Sequence, residues 1–442
     1  MKQNLLRLFL KTLDQASLAN VMSSSVARRG QALTALDAEV DLRQARRIFV
    51  AGVGKAARPM CEALLPLLPE DRTSSAVVAP TSLDRPLPGA REFVGGHPYP
   101  NRASDESARF LLDQVAGLGA DDLFICLLSG GGSAICEAPL YPSVSLADMQ
   151  AFYEVLVTCG ANIVQINILR KHLSRIKGGR LGQAAYPATQ MTLYVSDVPP
   201  DEPSSVASGP TMPDASTCED AYRTAEELGI VARLPASIRR FFATRTLAET
   251  PKPGAAEFAR SQWVCLLDNA AVLETLEGEV RRLGWEFERD LSVDDQPVEL
   301  SADTLLDRLQ RLSLAHPGKT VAVTTGGELS SPVKGDGRGG RNQAFVLWTA
   351  RKLAERGMRA TVLSAGTDGV DGNSPAAGAI ADESTVPRAR SLGLDPADFE
   401  QRSDSFGFFQ KLDDLIMTGP TGNNVRDLRI LVAAPQQAIR HS

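Results

Sequence analysis

The chain has 442 residues, more than one domain usually holds, so two domains are expected. Its formal net charge of -6 argues against a general nucleic-acid or membrane-surface role and makes local basic clusters informative. Hydrophobic residues make up 43%, and 36 glycines with 27 prolines suit a loop-rich α/β protein better than a helical bundle.

Taken in chain order, residues 5–13 read as an amphipathic helix. Charges interrupt its apolar run, which is too short for a secretory signal. No segment is long and apolar enough to span a bilayer. The first strand is expected over Arg47–Val53, running into Gly54-Lys55 and then a helix from about Arg58 to Leu68. Lys55 reads equally as a solvated lysine or as a cation for a phosphoryl group at a strand end. A second strand covers Ser75–Ala79. His97, in Gly95-Gly96-His97-Pro98, reads as a residue shaping a proline turn.

A buried strand over Leu123–Leu128 leads into Ser129-Gly130-Gly131-Gly132-Ser133, a glycine turn able to cradle an anion with backbone N–H groups. It lacks both the Walker lysine and the dinucleotide glycine fingerprint. Residues 167–180 hold a basic run that includes Arg170, Lys171, His172, Arg175, Lys177 and Arg180. It reads either as a solvated face or as an anion site, with His172 structural. A strand over Thr192–Val195 meets the motif Ser196–Pro203, in which Asp197 stands where a general base or a Mg²⁺ ligand would. Continuous apolar strands alternating with helices predict a parallel sheet covered on both faces, with ligands beyond its C-terminal edge.

The proline-bearing stretch 234–254 suggests the domain boundary, giving residues 1–240 and 241–442, to within tens of residues. Four more strands are expected near residues 263–267, 320–324, 360–364 and 427–432. Between them stand Thr325-Gly326-Gly327-Glu328 and Gly366-Thr367-Asp368-Gly369-Val370-Asp371-Gly372. These place carboxylates on glycine turns at strand ends, where Mg²⁺ could bridge phosphates. Gly335-Asp336-Gly337-Arg338-Gly339-Gly340-Arg341-Asn342-Gln343 reads as a loop around a small polyanion: glycine allows close backbone approach and arginine offers a planar fork of donors. The six cysteines show no metal-ligand spacing and read as reduced core thiols of a cytosolic protein.

In this order, the motifs resemble those of the class II glycerate kinases, the glycerate 2-kinase family with a C-terminal MOFRL domain. The likeness runs from Gly54-Lys55 through Ser129–Ser133, Arg170–Arg180, Ser196–Pro199, Ala207-Ser208-Gly209-Pro210-Thr211 and Gly337–Gln343 to Thr418–Val425. The resemblance implies a Rossmann-like N-terminal domain, a second three-layer α/β domain and an active site in the cleft between them. It also implies transfer of a phosphoryl group from ATP, with Mg²⁺, to the 2-hydroxyl of D-glycerate. Under it, Lys55 and Arg341 stabilise the transferred phosphoryl and Asp197 acts on the hydroxyl. Ser129, Gly130, Gly131, Gly132 and Ser133 cradle an anion, with Arg175, Lys177 and Arg338 as further anion contacts. Glu328 and Asp368 are the Mg²⁺ candidates. The family usually has glutamate after Arg-Asn-Gln; this chain has Ala344. The expected protein is cytoplasmic, takes small molecules rather than nucleic acid or membrane, and is left open between monomer and homo-oligomer. Two rivals are an NAD(P)H-dependent hydroxypyruvate reductase and a non-catalytic sensor of phosphorylated three-carbon acids.

Overall fold

The computed structural model describes residues 1–82, 85–199 and 202–435. The chain divides into two compact units, one of Leu18–Leu266 and one that joins Met1–Ser17 to Leu267–Ser442. The first unit therefore extends past the proline-bearing stretch near residue 240. The first seventeen residues group with the C-terminal unit because the helix Lys2–Gln15 packs on the helix Asn269–Arg282.

In the Leu18–Leu266 unit, six strands form a sheet in the spatial order Ala90–Val94, Thr73–Ala79, Ile48–Val53, Leu123–Leu128, Thr189–Val195, Ser261–Leu267. The first five are parallel. Every residue of Ile48–Val53 and Leu123–Leu128 is buried, as expected of central strands covered on both faces. Numbered along the chain within this sheet, the order is 3-2-1-4-5-6, the doubly wound arrangement. It reverses between Ile48–Val53 and Leu123–Leu128. Helix Arg102–Ala116, started by a capping box at Asn101, covers part of the sheet. A second core gathers the helices Leu146–Thr158, Ile163–Leu173, Cys218–Glu227 and Ala236–Thr244. Capping boxes at Ser145, Asn162 and Thr217 start three of them. A separate three-stranded antiparallel sheet spans residues 26–41.

The other unit also holds a six-stranded sheet, ordered Glu286–Arg289, Val321–Gly327, Asp427–Ala433, Thr361–Gly366, Gly378–Asp382, Leu415–Ile416. Only its first pair is parallel; the other pairs are antiparallel. Helices Val298–Ala315 and Arg341–Arg356 share a core with Val321, Val323 and Leu431 on one face. On the opposite face Thr324 donates to Glu277 of the helix Asn269–Arg282, at 2.9 Å. The result is a helix–sheet–helix sandwich. No helix among the described residues is long and apolar enough to cross a membrane.

Candidate active site

The strand-order reversal in the Leu18–Leu266 unit sets where a ligand can sit, because helices diverge there beyond the carboxyl ends of the strands. Lys55 follows Ile48–Val53 and Ser129 follows Leu123–Leu128, so the two turns flank this switch point. They are stitched together: Lys55 N donates to the Gly130 carbonyl at 3.0 Å and Ala56 N to Ser129 Oγ at 2.9 Å. Gly54 has φ +133°, and a Cβ there would run into Ser129. Gly131 has φ +84°, and a Cβ on it would lie 3.1 Å from Lys55 Cγ, so the stem of Lys55 crosses this glycine. A Cβ on Gly130 would stand 2.8 Å from Cγ of Asp197. The glycines thus allow a cation and a carboxylate to lie directly on the turn. Lys55, Gly130, Gly131 and Asp197 come together; Pro200 and Asp201 of the Asp197 motif lie outside the described residues.

The two serines that bracket the turn face protein partners. Ser129 is buried with its hydroxyl on Ala56 N. Ser133 Oγ lies 2.7 Å from Ser208 Oγ, which donates to Asn167 Oδ1 at 2.8 Å. What the turn can offer an anion is therefore the backbone of Gly130–Gly132 rather than these hydroxyls.

The basic run separates into distinct roles. Lys177, expected as an anion contact, is fully buried, and its ammonium pairs with Glu137 at 2.6 Å. Ser174 Oγ donates to the other oxygen of Glu137 at 2.6 Å, and the Tyr153 hydroxyl lies 2.7 Å from Glu137. Burial lowers the Lys177 pKa, with Glu137 opposing. Lys171 pairs with Asp214 at 3.1 Å. Arg170 stacks over the Tyr153 ring, 4.4 Å from its centroid, and Arg175 is exposed. The Coulombic influence of Lys55 and Arg170 reaches His97, whose pKa is lowered first by desolvation and then by these two charges.

The second unit has its own polar cluster. Asp427 opens its strand opposite Gly327 on one side and Gly366 on the other. Arg341 Nε donates to Asp427 Oδ2 at 2.6 Å and Arg429 to the same oxygen at 2.8 Å. Burial alone would raise the Asp427 pKa; Arg429 and Arg341 outweigh it and hold the carboxylate below its usual value. Arg341 also meets Glu328 at 2.8 Å. Arg426 forks onto Asp294 with two bonds of 2.7 Å. Glu328 and Asp368 follow the two strands that flank Asp427 and are both partly exposed. Asp368 Oδ1 accepts Val370 N at 3.0 Å. Carboxylate oxygens are the ligand type that a hard cation such as Mg²⁺ takes. Asp371 is buried under the start of helix Arg341–Arg356, where it accepts the backbone N–H of Asn342 and Gln343 at 3.1 and 2.9 Å. Burial pushes its pKa up to about 6, against those donors.

The glycines of the Gly335–Gln343 loop are packed closely. Added Cβ atoms on Gly335 and Gly337 would meet Arg402 and Asp404, on Gly339 Ser405, and on Gly340 Asp371. The glycines let the loop press against its own unit. Arg338 lies over Phe406, 4.8 Å from the ring centroid. A cavity of about 360 Å³ opens beside the loop, with Gly339, Arg341, Ala344 and Trp348 in its wall.

Comparison with known proteins identifies two family regions in the chain. A family described as "Domain of unknown function (DUF4147)" matches residues 4–243, which hold Lys55, Ser129–Ser133 and Asp197. The MOFRL family matches residues 321–427, which hold Glu328, Arg338, Arg341 and Asp368. The D-glycerate 2-kinase of Thermotoga maritima is 35% identical over 403 residues, 87% of this chain and 90% of that protein. This chain belongs to the glycerate kinase family. The human glycerate kinase is 30% identical, over 92% of this chain and 88% of its own length. A crystal structure of a Thermotoga maritima glycerate kinase superposes with TM-score 0.83 at 30% identity, covering 98% of this chain and 99% of that one. An Agrobacterium vitis relative at 36% identity, over 87% of each chain, carries a provisional hydroxypyruvate reductase name.

Asp427 and Arg429 had no functional reading in the sequence, while Asp371, read as one of the turn carboxylates, is buried on the backbone of Asn342 and Gln343. The alternation Asp427-Leu428-Arg429 inside an apolar strand was the available signal for the first two: two charges on one face of a buried strand must pair.

Proposed function

We propose that this protein is an ATP-dependent glycerate 2-kinase that phosphorylates D-glycerate to 2-phosphoglycerate, working as a soluble cytoplasmic enzyme. The observation that carries the reading is the placement of the Lys55 stem over Gly131 and the Asp197 carboxylate over Gly130, at the switch point of a doubly wound sheet. The family membership supplies the substrate class.

In the reaction, the bond between the γ-phosphorus of ATP and its bridging oxygen breaks and a bond to the glycerate 2-oxygen forms. The hydroxyl proton goes to Asp197. Phosphoryl transfer spreads charge over equatorial oxygens, so the protein's contribution is positioning and fixed opposite charge. Lys55 meets that charge from the first unit. The Gly130–Gly132 backbone cradles an anionic group of glycerate or nucleotide. Arg341, set by Asp427 and Glu328, is the cation that the other unit offers to a phosphate oxygen. Mg²⁺, when bound, would neutralise phosphate charge, and Glu328 and Asp368 would hold it.

The reductase reading has less behind it. The strand Thr73–Ala79 ends without an acid for a ribose, and the Gly52–Gly54 turn lacks the third glycine of a dinucleotide fingerprint. The test is an assay with ATP and D-glycerate that identifies the phosphoglycerate formed, repeated with Lys55→Ala. Formation of 2-phosphoglycerate, with kcat reduced about 10²–10³-fold in the variant, is expected. NADH-dependent reduction of hydroxypyruvate without phosphoryl transfer would overturn the proposal.

A further inference from the structure

Away from both clusters, three residues distant in sequence converge on one point. His172 ends the helix Ile163–Leu173, Cys218 begins the helix Cys218–Glu227, and Glu249 lies in the segment after Ala236–Thr244. One ligand atom from each lies within 4.8 Å of the others. His172 is fully buried. Its Nδ1 is 2.8 Å from the Ile168 carbonyl, which fixes that nitrogen as the proton donor. Its Nε2 is buried and finds no hydrogen-bond partner among the described residues. A buried imidazole lone pair without a donor is costly unless something takes it up.

We propose that His172, Cys218 and Glu249 form a binding site for a divalent cation of the zinc class, separate from the Mg²⁺ of phosphoryl transfer. The donor set is nitrogen, sulfur and oxygen, which suits a borderline-soft ion and not Mg²⁺. The Nδ1–H to carbonyl bond is the outer contact that usually orients a ligating histidine. Three protein ligands leave a fourth position for water. The thiol loses its proton on binding. The Cys218 thiol has a weak partner, and Glu249 would exchange one of its own for the ion. The Cys218 thiol rests on the Leu247 carbonyl at 3.3 Å. Glu249 is exposed; it accepts Cys218 N at 2.6 Å and pairs with Lys252 at 2.5 Å. Lys252 keeps other partners, the Ser216 carbonyl and Thr250 Oγ1, when a Glu249 oxygen turns to the ion. Such an ion would tie the helix that carries Asn167 and Arg170 to the helix Cys218–Glu227.

The test uses tag-free full-length protein stripped of metal and titrated with Co²⁺ alone. One Co²⁺ per chain is expected, with thiolate-to-cobalt charge transfer and the intense visible bands of a four-coordinate ion. Zn²⁺ should displace it, and Mg²⁺ in large excess should not. Cys218→Ser should abolish the charge-transfer band, and Glu249→Gln should weaken Co²⁺ binding at least tenfold. Both variants should keep glycerate phosphorylation, which shows that they fold. A wild-type protein without a thiolate band, or a band that persists in Cys218→Ser, would overturn the proposal.

Discussion

Arg341 and Asp427 form a two-point ion pair, Nε to Oδ2 at 2.6 Å and Nη2 to Oδ1 at 3.1 Å, while Arg429 holds the same carboxylate from within the sheet. The pair fixes Arg341 at the first turn of its helix, with the Asp427 strand as a rigid base. An ammonium cannot reproduce the fork. Arg341→Lys is expected to lose about 2 kcal/mol of stability, as for a broken hydrogen bond to a charged group, and to lower kcat at least tenfold. Denaturant unfolding and steady-state rates with ATP and D-glycerate varied in turn measure both. A stable variant with unchanged kcat would remove Arg341 from the catalytic machinery.

Gly130→Ala places a methyl group against the Asp197 carboxylate. Nothing else in the turn needs to move first, so the damage should fall on turnover more than on stability. We expect kcat to drop more than tenfold while the melting temperature changes by only a few degrees. If the variant turns over normally, Asp197 does not act from this position.

The doubly wound unit was legible because central parallel strands are apolar throughout, and Ile48–Val53 and Leu123–Leu128 read that way without ambiguity. The turns that follow them were legible for the same reason: a ligand site in this architecture must lie at strand ends. The antiparallel character of the second sheet was not, since Val321–Gly327 and Thr361–Gly366 are equally buried strands whose pairing depends on the distant Asp427–Ala433. The glycine loop also carries a packing constraint that its residue types alone do not reveal. Glycine permits close approach to any neighbour, and here the neighbours are Arg402, Asp404, Ser405 and Asp371 of the same unit. Charge was similarly ambiguous along residues 167–180, where burial rather than sequence decides that Lys177 belongs to Glu137.

That assignment makes its own prediction. Lys177→Met leaves the Glu137 carboxylate buried with only hydroxyl donors, and breaking a buried pair in this way costs about 3–5 kcal/mol. The double variant Lys177→Met/Glu137→Gln should recover part of the loss, because no buried charge remains. Unfolding free energies of the wild type, both single variants and the double variant give the coupling. Were Lys177→Met as stable as the wild type and impaired only in substrate KM, Lys177 would be an anion contact after all.

His97 reports on Lys55. Desolvation, then the charges of Lys55 and Arg170, lower its pKa below the ordinary 6.5. Much of its surface is exposed, so the direction carries the argument. With a depressed folded-state pKa, the unfolded chain binds more protons in the interval up to 6.5. The associated stability is present above that value and is lost as pH falls through the folded-state pKa. Removing a neighbouring cation should raise the His97 pKa. Resolved imidazole resonances of the four histidines, titrated in wild type and Lys55→Ala, should show His97 below 6.5 and moving part of the way back in the variant. His172, whose neighbouring charges do not include Lys55, should not move. An unshifted His97 in Lys55→Ala would mean that the Lys55 ammonium points away from this face of the turn. The placement of Lys55 over Gly131 would then describe its stem alone, and the case for its meeting the transferred phosphoryl would fail with it.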